Sequence, residues 1–365
     1  MFLILVNLHH KLFQKKGTDK MTKTPNILLI YTGGTIGMVK DYKTGALRTF
    51  NFDKLLKHIP EINHLKCTIS SVSLSEPIDS SNMNPDNWVL IAEIIEENYK
   101  AYDGFVVLHG SDTMSYTASA ISFMLENLSK PIIFTGSQLP IGDLRTDAKE
   151  NLITSIEIAA SQDKNKPVIS EVCLYFEYKL YRANRTIKIN AEHFEAFTSP
   201  NYPAVGESGV HLKFNKQLIY KSKNGKPLKV RKKLDNNIVV LKIFPGITKL
   251  VVESILSIKN LKGVILETYG SGNAPTEKWF VNLLKAAIKN GIHIVNVTQC
   301  AGGSVIMGQY ETSVELEKIG IISGNDITTE SAIAKLMYLL GENIPKKKFK
   351  SIFETELRGE MTTAE

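Results

Sequence analysis

Asn26 to Tyr31 form a short apolar run that stops at Gly33 and Gly34, the pattern of a buried strand feeding a tight loop. The pattern recurs. Gly104 to Leu108 ends at HGSDT, Pro131 to Thr135 at GSQLP, Gly263 to Leu266 at ETYGSGN, and Ile292 to Val297 at TQCAGG. Runs of this length without polar alternation suit strands covered on both faces, as in a parallel sheet. Between them the apolar spacing changes to a helical one: Met114, Ala118, Ile121 and Leu125 share a face, as do Phe280, Leu283, Leu284, Ala287 and Ile288. Strand, loop and helix therefore alternate, and the class is α/β. In open parallel sheets ligands bind beyond the carboxyl ends of the strands, so the loops just named are where chemistry is expected.

A Lys-rich stretch without clear periodicity divides the chain. The reading is an extension over residues 1–24, expected to be disordered, a larger N-terminal α/β domain over 25–213, a basic linker over 214–236, and a smaller C-terminal α/β domain over 237–365. Each domain is expected to be a mainly parallel sheet flanked by helices.

Composition narrows the class. With 43% hydrophobic and 22% charged residues, disorder of the whole chain is excluded, and no apolar run approaches the ~18 residues of a membrane span. MFLILVNL at the start lacks a preceding basic stretch and a small-residue cleavage site, so export is not expected. Cys67, Cys173 and Cys300 lie far apart with no CxxC pair, which fits a reducing compartment and gives no zinc site. The net charge of +7 is more than accounted for by seven basic residues in KSKNGKPLKVRKK (221 to 233) and three in PKKKF. Neither run carries interleaved aromatics, so they read as solvated segments, with neither nucleic acid nor membrane as a partner.

Four polar elements could carry chemistry. In TGGTIG (32 to 37) the glycines let backbone NH groups approach a ligand and Thr35 supplies a hydroxyl, although the same hydroxyl could simply tie down a turn. No phosphate-binding spacing and no basic residue occupies this loop. HGSDTM places Ser111 beside Asp112, a pair that taken alone reads as a helix cap. Asp79, Ser80 and Ser81 in EPIDSSNMNPDNW read equally as turn and cap residues before the Trp88 helix, and Lys188 in RANRTIKINA reads as a solvated lysine.

In combination and order these elements resemble the bacterial asparaginase and glutaminase family, and within it the cytoplasmic type I L-asparaginases. The resemblance rests on YTGGTIGM (31 to 38), DSSNM (79 to 83), the stretch from Tyr102 to Leu128, PIIFTGSQLP (131 to 140), LYRANRTIK (180 to 188), YGSGNAP (269 to 275) and VTQC (297 to 300). It implies an amidohydrolase that converts L-asparagine and water to L-aspartate and ammonia through an acyl-enzyme on Thr35. Ser111, Asp112 and Lys188 would complete the catalytic group. A threonine hydroxyl needs a base, and a lysine acts as one only in its neutral form. The charge of Asp112 works against that form, so its larger expected task is to orient Lys188 and hold the substrate's α-ammonium. Asp79, Ser80 and Ser81 would grip the α-carboxylate, and backbone NH groups of the 33–35 loop would supply the oxyanion site. The reaction calls for no metal and no organic cofactor. A homodimer or homotetramer is implied, with Asn273 the candidate for a contribution to a neighbouring subunit's site.

The chain departs from the family pattern in three places. Serine at 111 replaces the usual threonine and loses the methyl that stiffens χ1. Ala46 stands nearest the usual lid tyrosine, which leaves Tyr42 as the lid candidate. Ile187, Glu267 and Cys300 occupy the positions of a regulatory asparagine site, where glutamate in place of arginine would repel a carboxylate, so weak or absent cooperativity is expected. The alternatives are a broader glutaminase-asparaginase, a non-catalytic amino-acid-binding protein, and the asparaginase-like subunit of a tRNA-dependent amidotransferase. The last fits the basic charge, but no recognisable tRNA-facing domain precedes the core.

Overall fold

The computed structural model describes residues 4–6, 24–40, 47–49, 59–221, 225–308 and 311–363. The chain divides into two compact units: residues 1–198 with 203–230, and residues 199–202 with 231–365. Within the stretch read as a linker, Lys229–Val230 pairs antiparallel with Leu125–Glu126 in the first unit.

The first unit is built on β1 (Ile4–Val6), β2 (Asn26–Gly33), β3 (Thr68–Ile78), β4 (Gly104–Leu108), β5 (Ile132–Thr135), β6 (Val172–Phe176), β7 (Lys179–Arg182), β8 (Gly206–Glu207) and β9 (Lys213–Phe214). They form one nine-stranded sheet in the order β1-β3-β2-β4-β5-β6-β7-β8-β9. The central five, β3 to β6, run parallel, whereas β1 and β7 to β9 are antiparallel additions at the two flanks. Ile4–Val6 belongs to the stretch that the sequence reading left out of the fold, yet it pairs with Ser71 to Ser73.

Full burial of β4 and β5, and of β2 beyond Asn26, explains their unbroken apolar runs. Helices α1 (Pro85–Asn98), α2 (Met114–Met124) and α3 (Ala148–Ala160) form the crossovers to β4, β5 and β6. Helix α2 does not follow the one-faced expectation. Ten of its residues are buried, and Leu125 lies past its end. Most of its buried polar side chains are partnered: Trp88 Nε1 donates to Thr117 Oγ1 at 3.0 Å and Ser122 Oγ donates to Ser119 O at 2.7 Å, whereas Ser119 Oγ is buried without a hydrogen-bond partner.

The strand order settles where a ligand can enter. The chain steps from β2 to β3 on one side and then crosses back over β2 to lay down β4 on the other. This reversal opens a crevice beyond the carboxyl ends of β2 and β4, the usual ligand position in such sheets.

The second unit contains a four-stranded, wholly parallel sheet of β10 (Ile238–Lys242), β11 (Gly263–Thr268), β12 (His293–Thr298) and β13 (Ile322–Ser323), in sequential order. Its helices are α4 (Lys249–Leu256), α5 (Lys278–Lys289), α6 (Glu311–Lys318), α7 (Thr329–Gly341) and α8 (Lys346–Phe353). Phe280, Leu284 and Ala287 of α5 pack with Val264 and Leu266 of β11 in the core of this unit. The fully buried Lys335 of α7 ties the end of the chain down, donating to Phe353 O at 2.6 Å, to Thr355 O at 2.8 Å, and to the buried carboxylate of Glu360. Among the described residues no helix is long and apolar enough to cross a membrane.

Candidate active site

Three loops meet at the β2/β4 crevice, and glycine makes the meeting possible. A Cβ on Gly34 would lie 2.5 Å from both Cα and N of Gly110, and Gly34 holds φ 85°, a left-handed value that side chains disfavour. A Cβ on Gly110 would in turn lie 2.5 Å from Ser80 Oγ. The 33–37 loop after β2, the 109–113 loop after β4 and the 79–82 turn after β3 are therefore in backbone-level contact. Thr35 and Ser111 each sit one residue past the Gly34–Gly110 approach. Thr35 is half-buried and opens a short 3-10 turn over Thr35–Gly37, closed by Gly37 N donating to Gly34 O at 3.3 Å.

Asp79 caps the turn over Ser80–Asn82: its Oδ1 accepts from Ser81 N at 3.0 Å and from Ser81 Oγ at 2.9 Å. These two donors hold the Asp79 carboxyl below the ordinary carboxylate range. Ser80 is buried, and its carbonyl accepts from Thr113 Oγ1 at 2.7 Å, which links the turn to the 109–113 loop a second time.

Lys188 closes the group. It lies on the short strand Ile187–Lys188, paired with Phe197–Thr198, and its Nζ donates to Ser111 Oγ at 2.9 Å and to Asp112 Oδ1 at 2.7 Å. The lysine side chain is 17% exposed and that of Asp112 65%, so a largely buried amine meets a carboxyl group that faces solvent. The segment before Lys188 is fixed from beneath. Thr186 Oγ1 donates to Ala183 O at 2.7 Å, so the 3.0 Å contact with Ser115 Oγ has Ser115 of α2 as the donor.

Of the residues named from the sequence, Ser111, Asp112 and Lys188 are in direct contact, Ser80 packs against Gly110, and Thr35 neighbours the same glycine pair. Asn273 is not among them. It lies in the second unit, where its NH and carbonyl exchange hydrogen bonds of 2.8 and 2.9 Å with Tyr269 around a tight loop. Glu267 of β11 is engaged there too, accepting from Thr329 Oγ1 at 2.8 Å with Lys242 Nζ 3.4 Å away, and Cys300 is exposed. Tyr42 lies outside the described residues.

Two participants escaped the sequence reading. His109 is fully buried; burial pushes its imidazole down to about 4, so the ring is neutral at ordinary pH, with Nδ1 donating to Gly110 O at 2.7 Å. Gln138, at the end of β5, accepts from Ser111 Oγ at 3.2 Å. Its signals were its place in a loop at a strand's carboxyl end and within the PIIFTGSQLP stretch, neither of which singles out its side chain.

Residues 26–220 match the family described as Asparaginase, N-terminal, and residues 237–353 match the Glutaminase/Asparaginase C-terminal domain. The chain belongs to the asparaginase family. It is 42% identical over 338 residues to L-asparaginase 1 of Escherichia coli (strain K12), covering 92% of this chain and 98% of that protein. It is 38% identical over 360 residues to a 60 kDa lysophospholipase of Mus musculus, covering 92% of this chain but 62% of that protein. Among solved structures it resembles L-asparaginase I from Vibrio cholerae, with a TM-score of 0.85 at 41% identity, over 93% of this chain and 100% of that one. The asparaginase family thus accounts for both units of the fold.

Proposed function

We propose that this protein is an L-asparaginase that hydrolyses free L-asparagine to L-aspartate and ammonia through an ester on Thr35. One observation carries the reading: the Lys188 Nζ contacts to Ser111 and Asp112 lie beside the Gly34–Gly110 approach that delivers Thr35, at the crevice where the strand order reverses. Thr35 Oγ attacks the side-chain amide carbon and its proton passes to Lys188. Ammonia departs with that proton, and water then cleaves the ester to aspartate and restores Thr35. Backbone NH groups of the 33–35 loop face the developing oxyanion. Asp112 has one oxygen on Lys188, which leaves Oδ2 for the α-ammonium, and the Asp79 to Ser81 turn receives the α-carboxylate.

The same reading places the enzyme in the cytoplasm, with its three cysteines free, as a homo-oligomer in which Asn273 serves a neighbouring site. Glutamine is the second substrate to test, because one methylene changes discrimination by only ~1–3 kcal/mol. Ammonia release from each amide decides the matter, with Thr35→Ala alongside. Asparagine turnover that is faster than glutamine turnover and lost in Thr35→Ala is the expected result. No release from asparagine, or an active Thr35→Ala protein, would end the proposal.

A further inference from the structure

The reaction just described gives Gln138 no task, yet its side chain spans the two halves of the lysine's surroundings. Gln138 Nε2 lies 3.2 Å from Ala191 O and 3.1 Å from His193 O. Carbonyl oxygens only accept, so the atom facing both must be the amide NH2 group, and the orientation of the amide follows from its partners. The atom 3.2 Å from Ser111 Oγ is then Oε1, which only accepts. The Ser111 hydroxyl proton is therefore committed to Gln138, and Ser111 meets Lys188 solely through a lone pair, across 2.9 Å.

The strut is itself braced at both ends. Asp147 accepts from Gln138 N at 2.8 Å and from Leu139 N at 3.1 Å, which fixes the loop after β5. At the far end Asn190 Oδ1 accepts from Glu192 N at 2.9 Å and His193 N at 3.0 Å, which shapes the turn that follows Lys188.

We infer that Gln138 is a positioning residue that sets the direction of the Ser111 hydroxyl and so keeps the Lys188 lone pair open for the proton of Thr35. A serine hydroxyl free to rotate would donate to a neutral lysine nitrogen and occupy the site the nucleophile's proton must reach. The committed hydroxyl cannot. Gln138 acts through Ser111 and touches no reacting atom, and the inference rests on the amidohydrolase reading above.

A double-mutant cycle tests it: wild type, Gln138→Met, Ser111→Ala and the double variant, each assayed for ammonia release from asparagine and for melting temperature. Methionine keeps the length of the side chain and removes its amide. Gln138→Met should lower kcat about tenfold or more with KM within about twofold, and in the Ser111→Ala background it should cost less than about twofold. An equal loss in both backgrounds, or a loss confined to KM, overturns the inference, since either result means that Gln138 only supports the loop. Gln138→Glu gives a second readout. A carboxylate facing two carbonyls is repelled, whereas its protonated form can donate to one of them, so the activity of this variant relative to wild type should rise as pH falls from 8 to 6; a flat ratio counts against the inference. If wild type releases no ammonia, the enzyme reading has failed, and the melting temperatures decide separately. Coupled shifts support the hydrogen-bond order, and additive shifts overturn it.

Discussion

Alanine at position 110 isolates the contact on which the crevice is built. Gly110 has φ −66° and ψ 142°, values any residue adopts, so the substitution carries no backbone strain of its own. Its cost is steric. The new Cβ would lie 2.5 Å from Ser80 Oγ and 2.7 Å from Ser80 Cβ. Rotating the Ser80 hydroxyl away cannot relieve the second contact, and the turn resists retreat because Ser80 O is held by Thr113 Oγ1 at 2.7 Å and by Met83 N at 3.2 Å. Overpacking of this kind costs about 1–3 kcal/mol. If that cost is expressed in the transition state, kcat/KM falls about 5- to 150-fold.

The assay is steady-state ammonia release from asparagine for Gly110→Ala, Ser80→Gly and the double variant. Ser80→Gly removes both clashing atoms, so in that background Gly110→Ala should cost less than about twofold. Gly34→Ala provides the contrast: its Cβ would meet backbone atoms of Gly110 at φ 85°, so no side-chain truncation relieves it and its loss should be the larger. A Gly110→Ala enzyme with the wild-type rate, or one impaired equally with and without Ser80→Gly, would refute the account of how the loops meet.

Lys188→Met should lower kcat by about 10² to 10⁴, the range for a proton-transfer group, and Lys188→Arg should not restore it because a guanidinium stays charged; near-wild-type turnover in the arginine variant would remove the lysine from the base role. Lys335→Met leaves Glu360 buried without its cation and should cost about 3–5 kcal/mol in urea unfolding, partly recovered by adding Glu360→Gln; a loss below about 1 kcal/mol would contradict this. Burial, reinforced by the charge of Glu267, pushes the Glu330 carboxyl up to about 7 from an ordinary 4.5. The folded state then holds that proton to higher pH than the unfolded chain does. The associated stability is complete below about 4.5 and lost as pH rises through about 7. Glu330→Gln should flatten that fall, measured as urea midpoints at pH 5 and pH 8, and an unchanged difference between the two would show that Glu330 is not its source.

The strands that were legible in the sequence are those whose burial is two-sided. Ile27 to Tyr31, Phe105 to Leu108 and Ile132 to Phe134 are apolar throughout because helices or neighbouring segments cover both faces. Strand β3, TISSVSLSEPI, was not legible. It has partly exposed positions along its length and only Ser71, Val72 and Leu74 buried, so it carries neither an unbroken apolar run nor clean alternation. In the flanking hairpin of β6 and β7 the first strand is an apolar run, but the second, Lys179–Arg182, keeps the buried Arg182, paired with Glu171 at 2.7 Å. A charge buried through a long-range partner looks like a surface charge in a local window.

The site was legible in its parts and not in its assembly. Each of Thr35, Ser111, Asp79 and Lys188 has a bland local reading, and the Asp79 cap of the 80–82 turn bears that reading out without exhausting it. What joins them is non-local: Gly34 against Gly110, Gly110 against Ser80, and Lys188 against Ser111, contacts between segments up to 77 positions apart. The same strand that escaped detection creates the crevice, because only β3's place outside β2 reverses the strand order.

The two sheets make the comparison within one chain. Both are parallel at the centre, and both carry glycine-bearing loops at strand ends, YGSGNAP after β11 as much as TGGTIG in β2 and the loop that follows it. In the second unit the order β10-β11-β12-β13 never reverses, so successive crossovers follow one another across the sheet and no crevice opens at its strand ends by topology alone. In the first unit the reversal parts the segments leaving β2 and β4 to opposite sides, and the two segments stay in backbone contact where Gly34 meets Gly110. Loop composition is thus the same kind of signal in both units, and strand order is what distinguishes a loop that can serve chemistry from one that only turns the chain. That agrees with the proposed catalytic side chains, Thr35, Ser111, Asp112 and Lys188, all lying in the first unit, while the backbone of Asn273 in YGSGNAP closes a local turn of the second.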